Sequence, residues 1–197
     1  MSRIGRVERS TKETSITVEL NLDGSGKAEI STGIPFYDHM LDQIARHGGF
    51  DLTLRASGDL HIDTHHTVED VAIALGEAFR QAAGDRAGVR RFSSGRYPLD
   101  EAVVDIVLDL SGRPFVYWEV PIPECLPLGD PPFDPNLAEH AISSFATSAN
   151  ITLHVTLVRG KNVHHIVEAA FKGLGRSLRD AVRVEGGGVP STKGMLA

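Results

Sequence analysis

The sequence predicts an α+β fold of two similar halves, each with a sheet on one side and helices on the other. One observation is that strand-like stretches precede a long helical pattern in both halves of the 197-residue chain. The other is that a His-His-x-x-Glu motif occurs twice, at 65–69 and 164–168, each time opening an apolar helical run. A motif repeated at equivalent points of two similar helices indicates an internal repeat. We therefore expect a first repeat over 1–90 and a second over 91–197, packed as one unit.

In the first half, the chain alternates polar and apolar residues from 14 to 20, turns at 21–26 and is extended again over 27–32. This pattern predicts a β-hairpin. The remaining elements expected here are a helix over 35–46, a strand over 50–56 and a helix over 65–83 that ends near Gly84.

The second half repeats this plan after a polar, arginine-rich connection over 84–98. The expected elements are strands over 102–111, 115–120 and 151–158 and helices over 136–147 and 164–184. The stretch 121–135 holds six prolines and is predicted to be an irregular loop. A glycine-rich tail, which includes 186–194, is also expected to be irregular.

Composition and charge argue against two classes of protein, nucleic-acid-binding and membrane-spanning, and indicate a cellular location. The formal charge of -6 argues against general nucleic-acid binding. No apolar run approaches 18 residues, so we expect no membrane span. The N-terminus lacks the apolar stretch of a secretory signal, and the lone Cys125 agrees with a reducing compartment, which together predict a cytoplasmic location.

The repeated motif is typical of a metal site. Residues i and i+4 share one face of a helix, so His65 and Glu69 can converge on one ion, as can His164 and Glu168. Imidazole with carboxylate, and no thiolate, suits manganese, iron or zinc, and affinity order alone does not choose among them.

Four further histidines extend the pattern. His66 and His165 are rotated by about 100° from their neighbours on a helix, which suggests a second ion. His39 and His140 stand 26 and 24 residues before the two motifs, so each half supplies a separate third imidazole. The sequence thus predicts a dinuclear centre with six imidazoles and two carboxylates.

Basic residues outside the motifs indicate an anionic group on the ligand. Lys172 lies one helical turn beyond Glu168, and Arg113 follows a strand in a tight turn. Arginine forks and backbone amides suit phosphate. These residues indicate a dinuclear metalloenzyme that recognises phosphate and leave its reaction open; a dinuclear hydrolase of a phosphate ester or amide and a metal-storage cage without catalysis are alternatives. An RNA-binding module conflicts with the acidic charge.

Several segments resemble the imidazoleglycerol-phosphate dehydratase family of histidine biosynthesis. They are HHTVED at 65–70, HHIVEAAFK at 164–172, IPFYDHMLDQIARHGGFDL at 34–52, TKET at 11–14, LDLSGRPF at 108–115 and PSTKGML at 190–196. The resemblance covers almost the whole chain. It implies dehydration of D-erythro-imidazole glycerol phosphate to imidazole acetol phosphate by two ribosomal-protein-like, split β-α-β repeats.

The resemblance also implies roles for individual residues. Two Mn²⁺ ions per site, with Fe or Zn as alternatives, would be bound by His39, His65, His66, Glu69, His140, His164, His165 and Glu168. Substrate contacts would come from Glu13, Gln43, His47, Arg91, Arg113, Lys172, Ser191 and Lys193, chiefly at the phosphate. Glu13 would be the catalytic acid or base.

The chemistry that the resemblance implies explains the need for two ions. The proton to be removed sits on a carbinol carbon with no adjacent carbonyl, so a side-chain base alone faces a poorly acidic proton. A metal-bound imidazolate could expel the neighbouring hydroxyl and give a diazafulvene-like intermediate. The resemblance further implies a homo-oligomer, a cage of 24 subunits with the sites between them.

Overall fold

A computed structural model of the chain describes residues 3–189, 191, 192, 194 and 196. The first half contains β1 (Ile4–Ser10), β2 (Thr14–Asn21), β3 (Ala28–Ser31), α1 (Pro35–Gly48), β4 (Asp51–Gly58) and α2 (His65–Ala83). The second half contains β5 (Phe92–Leu99), β6 (Ala102–Asp109), β7 (Phe115–Glu119), α3 (Leu137–Ser148), β8 (Thr152–Arg159) and α4 (Val163–Ala181). The two halves share one order of elements.

Each half forms its own four-stranded sheet with the same topology. The strand orders are β1-β2-β4-β3 and β5-β6-β8-β7. The last pair in each sheet, β3 with β4 and β7 with β8, is parallel, and the other pairs are antiparallel. Parallel neighbours need a crossover connection, which α1 and α3 supply. The repeated β-α-β unit confirms the predicted α+β class. The boundary between residues 90 and 91 falls between α2 and β5 and stays a prediction.

The helices lie between the two sheets. Helix α2 packs on β1 and β2, helix α4 packs on β5 and β6, and the halves meet where α1 contacts α4 and α2 contacts α3. Glycines permit this close approach: a Cβ on Gly76 would lie 2.5 Å from the carbonyl oxygen of Phe145, and one on Gly175 would lie 2.8 Å from that of Ile44. Within each half, the sheet therefore lies on one side and the helices on the other, as predicted.

Most predicted elements agree with the structure, and α2 has the predicted bounds. Two strands were not predicted. β1 begins at Ile4, and β5 occupies the second part of the stretch 84–98, from Phe92 onward, which was expected to be a connection. β5 is an edge strand whose Ser94 and Arg96 side chains are exposed, and an edge tolerates Pro98 because no second ladder needs its missing N–H.

The predicted hairpin between 14–20 and 27–32 is wrong. Both segments are extended, but β4 lies between β2 and β3 in the sheet. The turn residues bind the start of β4 instead: Asp51 Oδ1 accepts hydrogen bonds from the backbone N–H of Ser25 at 2.7 Å and of Lys27 at 3.0 Å. The local turn pattern predicted that β2 pairs with β3, whereas in the structure both strands pair with β4, which comes later in the chain.

The proline-rich loop 121–135 is irregular, as predicted, apart from one bridge between Leu128 and Phe133. Phe133 is fully buried and stacks on Tyr37, which anchors the loop over α1. The described residues of the glycine-rich tail beyond 185 form no helix or strand. None of the described helices is both long and apolar enough to cross a membrane.

Candidate metal centres

Two three-residue groups on the helix layer could each hold a metal ion. Centre A consists of His39, His164 and Glu168, and centre B consists of His65, Glu69 and His140. In each group the candidate ligand atoms all lie within 4.8 Å of one another. Both repeated motifs lie at the start of their helices, where the i and i+4 positions turn the first histidine and the glutamate toward one point.

In centre A, one carboxylate lies between two imidazoles. Glu168 Oε2 is 2.9 Å from His164 Nε2 and 3.3 Å from His39 Nε2. Its other oxygen is 2.6 Å from Lys172 Nζ. Burial acts to raise the pKa of Glu168, but the hydrogen bonds from Lys172 and the histidines outweigh it and lower that pKa. Glu168 is therefore ionised and ready to bind a cation.

In centre B, the ring centroids of His65 and His140 lie 4.5 Å apart. His140 Nε2 is 3.2 Å from Glu69 Oε1. That contact lacks hydrogen-bond geometry, and among the described residues the buried Nε2 atom has no hydrogen-bond partner. In both centres the first histidine of the motif and the glutamate four residues later converge, as the sequence predicted.

The two halves exchange their third histidine. His39 belongs to the first half but joins the motif of the second, while His140 belongs to the second half and joins the motif of the first. The exchange follows from packing, because α1 contacts α4 and α3 contacts α2. Which upstream histidine completes which ion was left open by the sequence.

The second histidine of each motif lies outside both groups. His66 Nδ1 is 2.9 Å from Asp59 Oδ2, and His165 Nδ1 is 2.7 Å from Glu101 Oε2. These hydrogen bonds raise the pKa of both histidines. Hydrogen bonds from His165 and from backbone N–H groups lower the pKa of Glu101 to about 2. The expected rotation away from the first ion is therefore present, but His66 and His165 join neither of the two candidate ion sites found among the described residues.

Three of the predicted substrate residues lie beside centre A. Gln43 Nε2 is 3.3 Å from His39 Nδ1, one turn along α1, and His47 follows one turn later. Burial lowers the pKa of His47, and the nearby charges of Lys172 and Arg176 lower it further. The buried Gln43 and the partly buried His47 and Lys172 thus form one polar cluster next to centre A.

The predicted phosphate residues Arg91 and Arg113 lie at the opposite end of β6 from the second motif. Arg91 forms a two-pronged ion pair with Asp109 at the end of β6, and Arg113 follows in the next turn. Glu101, beside the second motif, precedes the start of that strand. Eight residues of extended chain separate the two ends by roughly 25 Å. Ser191 lies in the tail, where its backbone N–H donates to the carbonyl of Val189, and Lys193 lies outside the described residues.

Glu13, the predicted acid or base, stands in the turn between β1 and β2. Its Oε2 lies 3.9 Å from His66 Nδ1, and its side chain is half-exposed. His66 of the first motif therefore has two carboxylates beside it: Asp59 forms a hydrogen bond with it, and Glu13 lies nearby without one.

Comparison of the sequence with known proteins identifies the family of this chain. A sequence model described as imidazoleglycerol-phosphate dehydratase matches residues 32–178. The chain belongs to the imidazoleglycerol-phosphate dehydratase family. A relative of that name from Thermobifida fusca is 55% identical over 200 residues and one from Streptomyces avermitilis is 53% identical over 199, with 100% of both chains covered in each case.

Solved imidazoleglycerol-phosphate dehydratases have the same fold. The crystal structure of the enzyme from Staphylococcus aureus gives a TM-score of 0.80 at 30% identity and covers 90% of this chain and 97% of that one. The enzyme from Pyrococcus furiosus, solved in complex with (S)-C348, gives 0.79 at 37% identity and covers 96% and 100%. The resemblance seen in the sequence is confirmed, and the chain is an enzyme of histidine biosynthesis that acts as a dehydratase.

Sequence reasoning missed two residues at these imidazoleglycerol-phosphate dehydratase motifs, Asp59 and Glu101. Asp59 precedes its motif by a few residues, whereas Glu101 lies in a turn of another strand pair. The two share no spacing relative to the histidines that they contact, so no repeated signal marked them.

Proposed function

We propose that the chain dehydrates imidazole glycerol phosphate to imidazole acetol phosphate with two divalent ions per site, Mn²⁺ being the expected ion and Fe or Zn compatible alternatives. The observation that carries the proposal is the pair of His-His-Glu groups, A and B, at equivalent helix starts. Family membership supplies the reaction, and the two groups supply a reason for its dependence on metal.

The donor set of each centre fits a divalent transition ion. Two imidazoles and one carboxylate, with no thiolate, match manganese, iron or zinc. The buried Nε2 of His140 has no hydrogen-bond partner in the described part of the chain, and such an atom is costly unless its lone pair is used. An ion held between His140 and Glu69 would use it. In centre A, the lowered pKa of Glu168 favours the charged form that binds cations.

The protein side chains orient the substrate and move protons around these ions. Bound ions would supply Lewis acidity to the imidazole ring of the substrate, which helps the ring to expel the neighbouring hydroxyl group. Gln43 and Lys172 lie beside centre A and are assigned to hold the substrate there, together with His47. Glu13 has an exposed carboxylate near His66 and is assigned as the proton carrier.

One copy of the chain supplies only part of this site. His66 and His165 turn away from centres A and B, and each uses its Nδ1 atom to contact a carboxylate. Nε2 is therefore the atom through which each ring would bind an ion held by another copy, and Asp100 Oδ2 lies 3.9 Å from that of His165. Arg91 and Arg113 lie roughly 25 Å along the sheet from the second motif, too far to hold the phosphate of the same substrate molecule. The proposal therefore includes a homo-oligomer, a cage of 24 subunits. In it, the phosphate is bound by arginines of another copy, with Ser191 and Lys193.

The decisive experiment is turnover of imidazole glycerol phosphate by metal-stripped protein before and after addition of Mn²⁺. The ketone product is read by the absorbance of its enolate in base, and inorganic phosphate is assayed in parallel. Ketone formation that requires metal, without phosphate release, supports the proposal. Phosphate release would instead support a dinuclear hydrolase. No ketone with any divalent ion, in protein that rebinds two ions per chain, would overturn the proposal.

Variants separate the roles of the residues. Glu69→Gln and Glu168→Gln should each reduce the number of tightly bound Mn²⁺ ions per chain. Glu139→Gln, an exposed neighbour of His140, is the matched control and should keep both ions. Glu13→Gln should abolish turnover and retain the metal content, and near-normal turnover in that variant would remove Glu13 from the mechanism.

A further inference from the structure

Asp59 and Glu101 make the same contact with equivalent histidines of the two halves. Each accepts a hydrogen bond at Nδ1 of the second motif histidine, at 2.9 Å for His66 and 2.7 Å for His165. Because an ionised carboxylate can only accept, Nδ1 carries the proton and Nε2 keeps its lone pair. That is the ring form in which an imidazole binds a metal through Nε2.

The two carboxylates occupy different positions in the repeat. Asp59 directly follows β4, whereas the residue that follows the equivalent strand β8 is Gly160, which has no side chain. Glu101 directly precedes β6, and the residue that precedes the equivalent strand β2 is Glu13. Glu13 and Glu101 are therefore equivalent by position, although sequence motifs alone did not relate them.

These equivalent glutamates have different surroundings. Glu101 is fully engaged: Oε2 holds His165, and Oε1 accepts from the backbone N–H of Lys161 at 3.2 Å and of Asn162 at 2.8 Å. The carboxylate of Glu13 makes no hydrogen bond within the described residues, its side chain is 52% exposed, and its nearest cationic partner is His66 at 3.9 Å. In the first half, Asp59 accepts the hydrogen bond from Nδ1 of His66, as Glu101 does from Nδ1 of His165 in the second half.

Asp59 holds this place at a cost in stability. Its second oxygen, Oδ1, is buried and has no hydrogen-bond partner in the described part of the chain. An unsatisfied buried oxygen is destabilising, so packing alone does not account for an aspartate here. A role in the chemistry of the neighbouring histidine does.

We propose that Asp59 and Glu101 are positioning residues that fix the Nδ1–H form of His66 and His165, and that Asp59 thereby leaves Glu13 free for proton transfer. The duplicated turn glutamate has diverged into a structural support in one half and a proton carrier in the other. This inference rests on the proposed function, which assigns the two histidines to ions and Glu13 to the proton.

The test begins with metal-stripped, full-length protein that carries ¹⁵N-labelled histidine, studied by NMR at a pH above the histidine pKa values. His66 and His165 should show protonated Nδ1 in the native protein. Glu13→Gln should leave His66 unchanged, because Asp59 still holds it. Glu101→Gln keeps an oxygen for the backbone N–H groups but presents an NH₂ group to His165, which should move the proton to Nε2. Unchanged His165 in this variant would contradict the inference.

Removal of Asp59 tests the release of Glu13. In Asp59→Ala, Glu13 should move onto His66, so the Nδ1–H form persists while turnover falls on the order of 10²-fold, the lower range for loss of a positioned acid or base. The double variant Asp59→Ala/Glu13→Gln should lose the Nδ1–H form and bind Mn²⁺ roughly 10–100-fold more weakly. Glu29→Gln, an exposed change on β3, is the control for Mn²⁺ affinity and should match the native protein.

The outcomes separate this inference from the proposed function. Native turnover in Asp59→Ala, or an unchanged ring form and Mn²⁺ affinity in the double variant, would overturn the inference and leave the metal-dependent dehydration standing. Absence of Mn²⁺ binding by the native protein would overturn the proposed function, whereas the ring forms are read without metal and would still report on Asp59 and Glu101.

Discussion

Arg86 carries the strongest stability prediction. It lies in the turn after α2, has a positive φ of 59°, and is buried to 5% exposure. Its guanidinium donates hydrogen bonds to the carbonyls of Leu110 at 2.9 Å, Asn150 at 3.0 Å and Ala149 at 2.7 Å. The side chain thus ties the connection between the halves to the end of α3 and to the turn after β6.

Replacement by methionine keeps most of the side-chain volume and removes all three hydrogen bonds. Each carbonyl left without a partner costs about 1–3 kcal/mol. Burial lowers the pKa of Arg86, which shows that the native charge also carries a desolvation cost, and removal of that cost offsets part of the loss. We expect Arg86→Met to lower the free energy of unfolding by about 3–5 kcal/mol.

The assay is urea denaturation at fixed protein concentration, followed by circular dichroism. The control is Arg96→Met, which breaks a two-pronged pair with Asp105 on the outer face of the sheet, with N–O distances of 2.7 Å. That pair is exposed, so its loss should cost less than about 1 kcal/mol. If the two variants unfold at the same urea concentration, the reasoning about buried carbonyls is refuted.

Three further predictions concern packing and charge. Gly175→Ala should destabilise the chain by about 1–3 kcal/mol in denaturation despite its better helix propensity, because the new Cβ would lie 2.8 Å from the carbonyl oxygen of Ile44. Backbone hydrogen bonds lower the pKa of Asp51 in the folded protein. The difference in unfolding free energy between the native protein and Asp51→Asn should therefore be largest above the ordinary pKa of 3.8, and it should vanish as the pH falls through the lowered pKa of the folded state. Lys172→Met should raise the pKa of His47, as read by NMR titration, because a nearby positive charge is removed. The pKa should stay below the ordinary value for histidine, because burial is the larger cause of its lowering.

The sequence predicted regular elements well where the pattern was local. Helix α2 was placed with its observed ends, and the proline-rich loop was predicted as irregular. It did not predict β1 or β5, and it paired β2 with β3 because the turn after β2 resembles that of a hairpin. Strand partners depend on contacts with distant segments, in this case on the attachment of that turn to Asp51, and periodicity carries no information about them.

The sequence by itself determined the chemistry of the metal-binding motifs. A helix brings residues i and i+4 to one face whatever surrounds it, so the partners within each motif could be inferred from spacing. The family was also evident, because its motifs are spread along the chain from 11–14 to 190–196.

Only the tertiary structure decided how the two halves share their candidate metal ligands. His39 meets Glu168 across 129 positions of sequence because α1 packs on α4, and His140 meets Glu69 because α3 packs on α2. The carboxylates behind His66 and His165 likewise come from turns whose positions are fixed by the sheets. Spacing determines neighbours within one helix, whereas packing between helices and sheets determines which distant side chains meet.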